Sequence, residues 1–159
     1  MTTRLFTHPS RKQKILVVAN RTADSPALIA ALRERATGSP VNFTLLVPAV
    51  PHGLAWAADM KAGWTEAAGR AERAAMRMRG SGLLLQEVIV GDPDPFAAVG
   101  DALHAREFDE VVVSTLPRTL SRWLAIGLPA RLRRAIDLPV VQVTAHPATA
   151  PQPAIPVAA

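Results

Sequence analysis

Residues 14–19 read Lys-Ile-Leu-Val-Val-Ala. A short, nearly unbroken apolar run of this kind reads as a strand buried on both faces, because a strand with one wet face would alternate. The residues after it carry a helix start. In Asp24-Ser25-Pro26, Ser25 supplies a capping hydroxyl, and Pro26 suits the first helical position because no hydrogen bond is lost with its missing N–H. Leu28, Ile29, Leu32 and Ala36 then share one helical face, and Gly38 ends it.

Outward from that unit the alternation continues. Val41 to Val47 alternates as a second strand, halted by Pro48 and Pro51. The longest helix is predicted over Ala55 to Arg79, with a seam of Met60, Trp64, Ala67, Ala71, Ala74 or Ala75, and Met78, all read as core. Gly80-Ser81-Gly82 stops it. Leu83 to Val90 is the third strand, and Gly91-Asp92-Pro93 turns the chain. Asp94-Pro95 repeats the cap-then-proline start before a helix striped by Phe96, Val99 and Leu103. Glu110 to Val113 is the fourth strand, Pro129 opens a short helix carrying Leu132 and Ile136, and Leu138 to Val143 is the fifth strand. Strands separated by helices predict an α/β three-layer sandwich with a five-stranded parallel sheet. Its first strand should be central and beside the fourth, with the fifth at an edge. Residues 1–13 read as a flexible basic arm, 14–145 as the domain, and 146–159, with four prolines among alanines, as a disordered tail.

The 159 residues are 49% hydrophobic and 19% charged, enough for one packed domain and too apolar for wholesale disorder. The absence of cysteine excludes a disulfide scaffold, a thiol nucleophile and any zinc site needing sulfur. No apolar run approaches the ~20 residues that span a bilayer, and no apolar stretch backs the basic N-terminus as in a signal peptide. The expectation is a soluble cytoplasmic domain with no membrane partner. Net charge is +5, unevenly spread. Five bases and no acid lie between Met1 and Arg21, and five arginines face one acid between Ser114 and Asp137. Between Asp92 and Glu110 the sign reverses, six acids against Arg106. Without a recognised module or interleaved aromatics, only weak, sequence-independent contact with nucleic acid is expected.

Ligands of parallel sheets sit at the carboxyl ends of strands. No G-x-G-x-x-G follows the first strand and no Gly-Lys-Ser/Thr occurs. Asn20 leaves no acid where a phospho-receiver needs one. Of four histidines only His52 falls in a strand-end loop; His8 and His146 are in the end segments and His104 is on the acidic third helix, so no metal site is expected. Ser114 and Thr115 have no base partner and read as turn or cap hydroxyls rather than nucleophiles. Trp123 reads as packing under the last loop. The chain is not expected to be an enzyme.

Lys14 to Asn20, the long second helix, Val88-Ile-Val-Gly-Asp-Pro93, Asp109-Glu-Val-Val-Val-Ser-Thr115 and Leu138-Pro-Val-Val-Gln-Val143 together resemble the universal stress protein family over about Lys14 to Thr144. The resemblance implies a Rossmann-like, adenine nucleotide alpha-hydrolase-like sheet in the order 3-2-1-4-5, frequent homodimers, and ATP binding in one branch. That branch has an aspartate closing the first strand, and a motif of glycine, two residues, glycine, nine residues, glycine, then serine or threonine. Here the aspartate position is Asn20, the glycine positions are Ser114, Pro117 and Gly127, and the hydroxyl position is Leu128. Only Gly127 matches. Pro117 removes a donor and Leu128 offers no hydroxyl, so no cofactor is assigned and ATP is expected to bind poorly or not at all by that route.

Candidates for a nucleotide or other anion group by strand end: Asn20, Arg21 and Thr22 after the first; Pro48 after the second; Val90, Gly91 and Asp92 after the third. After the fourth come Ser114, Thr115, Arg118, Arg122 and Gly127. Arg118 and Arg122, four residues apart, share one side if their segment is helical, where arginines take over from lost backbone donors or simply face solvent. Val140, Val141 and Val143 form an apolar edge strand that invites pairing with a second copy. The expected function is a non-catalytic, dimeric binding or regulatory protein, with binding of an adenine nucleotide or other anionic small molecule as the alternative.

Overall fold

Strand β1 (Gln13–Val18) turns Ile15 and Val17 to one face of a sheet and Leu16 and Val18 to the other, and all four are fully buried. The computed structural model describes residues 11–49 and 60–146. After β1 come α1 (Pro26–Ala36), β2 (Val41–Pro48), α2 (Met60–Gly80), β3 (Leu85–Gly91), α3 (Pro95–Ala105) and β4 (Glu110–Thr115). A single turn α4 (Arg122–Ala125), α5 (Leu128–Ala135) and β5 (Val140–Thr144) complete the order. The sheet runs β3-β2-β1-β4-β5 with every pairing parallel, Ile15 opposite Phe43 on one side and Glu110 on the other.

The alternation of β1 divides the interior into two cores. One joins Ile15, Val17, Phe43, Leu45 and Val112 to Leu28 and Leu32 of α1 and to Ala67, Ala71, Ala74, Ala75 and Met78 of α2. The other joins Leu16, Val18, Leu46, Val111 and Val113 to Val99 of α3 and Leu128 and Leu132 of α5. The helix starts form as their sequences demand: Ser25 Oγ accepts from Leu28 N at 3.2 Å and Asp94 Oδ1 from Phe96 N at 3.0 Å.

Three expectations change. Strand β2 does not alternate: Phe43 to Pro48 are all buried, because β2 lies inside the sheet with a helix layer on either face. Trp64 is not core but 39% exposed. Arg70 of α2 already meets Asn20, beyond the end of β1, so Trp64 lies a further ~9 Å out, where the strands no longer supply a floor. α4 was not anticipated; Ser121 starts it by accepting from Leu124 N at 3.2 Å, and Trp123 packs inward against the α3–α5 core as expected. Strand ends shift slightly, so that Gln13 already belongs to β1, and β3 and β5 begin at Leu85 and Val140. The expected arm and tail lie mostly outside the described residues, as do His8, His52 and the first residues predicted for α2.

Candidate functional site

The sheet order reverses between β1 and β4, so the crevice that such folds offer a ligand opens at the carboxyl ends of these two strands. Thr22 and Ser114 occupy it. Thr22 arrives on a tight turn held by Ala23 N donating to Asn20 O and Ser25 N to Thr22 O, both at 3.0 Å. Its Oγ1 lies 2.7 Å from Ser114 Oγ, and the two residues are 2% and 1% exposed. A buried hydroxyl pair satisfies itself and bridges the crevice floor.

Asn20 stands beside them. Its Nδ2 donates to Pro48 O at 3.0 Å, tying the end of β1 to that of β2, and its Oδ1 accepts from Arg70 Nη1. Arg70 also donates to Glu66 Oε1 at 2.9 Å, one helical turn earlier. A carboxylate at position 20 would pair with Arg70 as an ion; the amide instead accepts from Arg70 on one side and donates to a carbonyl on the other. Arg70 was not singled out from the sequence. Its signal is faint: it sits three residues after Ala67 of the α2 seam, but its reach to Asn20 depends on where α2 crosses the sheet.

The other candidates separate by role. Thr115 is buried and its Oγ1 accepts from Gln142 Nε2 of β5 at 3.2 Å, so both strand-end hydroxyls of β4 are engaged. Pro48 is buried under Asn20, and Val90 packs against the α1–α2 core. Gly91 O accepts from Ala49 N at 3.0 Å; a Cβ on Gly91 would sit 2.8 Å from Leu46 Cδ1 and 2.9 Å from Ala98 Cβ. That glycine is explained by the close approach of α3 to the strand end. Asp92 Oδ1 accepts from Asp94 N at 2.8 Å, a turn contact. Arg21, Arg118 and Arg122 are exposed. Gly127 has φ +66°, the left-handed conformation that lets the chain pass from α4 into α5.

So the structure brings Asn20, Thr22, Pro48 and Ser114 together, with Thr115 beside them. It leaves Val90, Gly91 and Asp92 as packing and turn residues and holds Arg118 and Arg122 on the surface. Among the described residues no group of His, Asp or Glu is arranged to hold a metal ion. At the opposite end of the sheet, the hydrogen bonds that Arg106 donates to the Glu87 carboxylate raise the pKa of Arg106; desolvation opposes this and the charge of Glu87 adds to it. Of the edge candidates, Val140 is buried in the α3–α5 core, Val143 packs against the other core, and Val141 is half-buried on a strand whose outer edge is unpaired among the described residues.

A doubly wound parallel sheet with a polar strand-end crevice at its switch point defines a domain of the doubly wound α/β class. No protein-family model and no curated protein matches the sequence. Solved structures do match. A universal stress protein in complex with cAMP is 19% identical, with 86% of this chain and 98% of that one covered at a TM-score of 0.54. The universal stress protein from Archaeoglobus fulgidus, which is also known in complex with dAMP, is 16% identical over 84% and 98% at 0.58. A universal stress protein family protein from Arabidopsis thaliana with AMP bound is 15% identical over 84% and 92% at 0.56. The chain has the fold of the universal stress proteins, as the resemblance in its sequence implied.

Proposed function

We propose that this chain is a non-catalytic binding and regulatory protein of the universal stress type that does not take ATP through a glycine loop. The observation that carries this reading is the Thr22–Ser114 hydroxyl pair, which fills the place where the loop's first glycine would leave backbone bare. Pro117 lacks the second donor, and its carbonyl is engaged by Leu120 N and Ser121 N. Among the described residues no nucleophile with an adjacent base stands at the strand ends, which favours binding over turnover. Calorimetric titration with ATP and magnesium tests it: absence of heat together with an unchanged melting temperature is expected. Micromolar affinity lost in Ser114→Trp would overturn it.

A second reading is favoured by the ligands of the fold neighbours, cAMP, dAMP and AMP, each with a single phosphate. In this reading an adenosine monophosphate lies against Asn20 and Pro48, and Arg118 or Arg122 holds its phosphate in place of the missing loop. Titration with AMP separates the two, since binding that weakens in both Asn20→Ala and Arg118→Gln supports the second. Assembly belongs to the same proposal. The free edge of β5 pairs two copies about a two-fold axis, in a cytoplasmic homodimer. Light scattering on Val141→Lys tests the pairing, a monomer being the expected result and an undisturbed dimer the contrary one.

A further inference from the structure

The loop after β4 carries an exposed set of side chains that neither core uses. In residues 118–120 and on the outer side of α4, Arg118, Leu120, Arg122, Ala125 and Ile126 all face solvent, with Leu120 63% and Ile126 48% exposed. Ser121 caps α4 and Trp123 packs inward against the α3–α5 core, while Arg122 before it and Ala125 and Ile126 after it are exposed. Arg122 and Ile126, four apart, stand side by side there.

The charge along this stretch of chain is of one sign. No Asp or Glu occurs from Val111 to Ile136, a stretch that holds five arginines. The side chains of Arg118 and Arg122 make no hydrogen bond or ion pair among the described residues. Arg131 lies over the Phe96 ring at 4.5 Å, while Arg133 and Arg134 donate to the carbonyls of Val140 and Ala130, partners that leave their charge uncompensated. The acids near Phe96, Asp92 and Asp94, each accept a backbone N–H of their own turn.

From these residues we propose that this face docks on an anionic phospholipid bilayer, with Leu120 and Ile126 entering the boundary between headgroups and acyl chains and Arg118 and Arg122 engaging lipid phosphates. Exposed aliphatic tips close in sequence to arginines without an acid partner among the described residues match the two layers such a surface presents, apolar below and anionic above. A nucleic acid would use the arginines and leave the aliphatic tips in water. Surface docking needs no spanning segment, and no helix among the described residues is long and apolar enough to cross a membrane. The expectation of no membrane partner followed from the missing span and does not bear on contact of this kind. The proposal shares Arg118 and Arg122 with the AMP reading above, and the two are distinguishable because only lipid docking depends on Leu120 and Ile126.

Co-sedimentation of the full chain with vesicles tests it, using phosphatidylcholine alone and phosphatidylcholine with about one third phosphatidylserine, at low and high salt. Binding to the anionic vesicles alone, weakened by salt, is expected. Arg118→Gln with Arg122→Gln should lower partitioning about thirtyfold, at roughly fivefold per arginine. Leu120→Asp with Ile126→Asp should abolish it without changing the melting temperature; if that pair melts lower, Leu120→Ser with Ile126→Ser replaces it. No binding to the anionic vesicles overturns the proposal. So does binding indifferent to the Leu120 and Ile126 changes, or tighter binding to random-sequence duplex DNA that ignores them, which would make this a simple polyanion surface.

Discussion

The end of β1 and the loop after β4 flank the same switch point and are built in opposite ways. At β1, Asn20 and Thr22 have their polar side-chain atoms engaged, by Pro48, Arg70 and Ser114, and lie under cover. Beyond β4, the side chains of Arg118 and Arg122 make no hydrogen bond or ion pair among the described residues, and Leu120 and Ile126 are largely exposed. The first wall is held by interactions that folding needs. The second is held only by backbone turns, Ser121 and Trp123, so its outward side chains are free to be chosen for contact with something else.

The comparison is sharpest in stability, where changes at buried or conformationally constrained positions should cost more than changes at the exposed tips. Gly91→Val should cost the most, about 3 kcal/mol, because its Cβ already meets Leu46 and Ala98 and the branch has nowhere to go. Urea unfolding measures it; a loss below about 1 kcal/mol would mean that α3 moves off the strand end freely. Thr22→Val should cost about 2 kcal/mol by leaving Ser114 Oγ buried without its partner. Thr22→Val with Ser114→Ala should be less destabilising than the sum of the single changes, a coupling read from the same unfolding curves. Gly127→Ala should cost about 1 kcal/mol through the left-handed backbone alone, since open space surrounds the added methyl. Leu120→Ser and Ile126→Ser should change stability by less than about 0.5 kcal/mol each. A loss as large as that of Thr22→Val would erase the contrast between the two walls.

The same contrast explains what the sequence told in advance. Strand β1 was legible because both faces are buried and the run is unbroken, and the starts of α1 and α3 because a cap and a proline act locally. Trp64 misled because helical spacing reports the face of a helix but not how far the helix overhangs the sheet. Strand β2 misled because Asn42 and Thr44 imitate alternation inside a strand that is covered on both sides. At the site, Asn20, Thr22 and Ser114 were reached through their positions at strand ends. The partnership of Thr22 with Ser114, and that of Asn20 with Arg70, joins residues 92 and 50 apart and exists only after the sheet has closed. Gly91 was read for a ligand and is explained by packing, a distinction that only the distance to Ala98 makes.

At the foot of the β1–β4 pairing, Lys14 N donates to Asp109 Oδ2 and Asp109 N to Lys14 O, each at 2.8 Å and across 95 positions of chain. Everything on one side of this seam, from β1 through β3, can assemble between near neighbours in sequence, as can β4 with β5. The seam itself demands that a loop of nearly a hundred residues be closed, an entropy of about 4 kcal/mol by the logarithmic law, apart from its constant. Folding is therefore expected to be slow relative to that of the β1–α1–β2 unit, with the seam as its late event. The crevice at the switch point lies at the other end of that same seam, so Thr22 and Ser114 meet only in chains that have completed the slowest step.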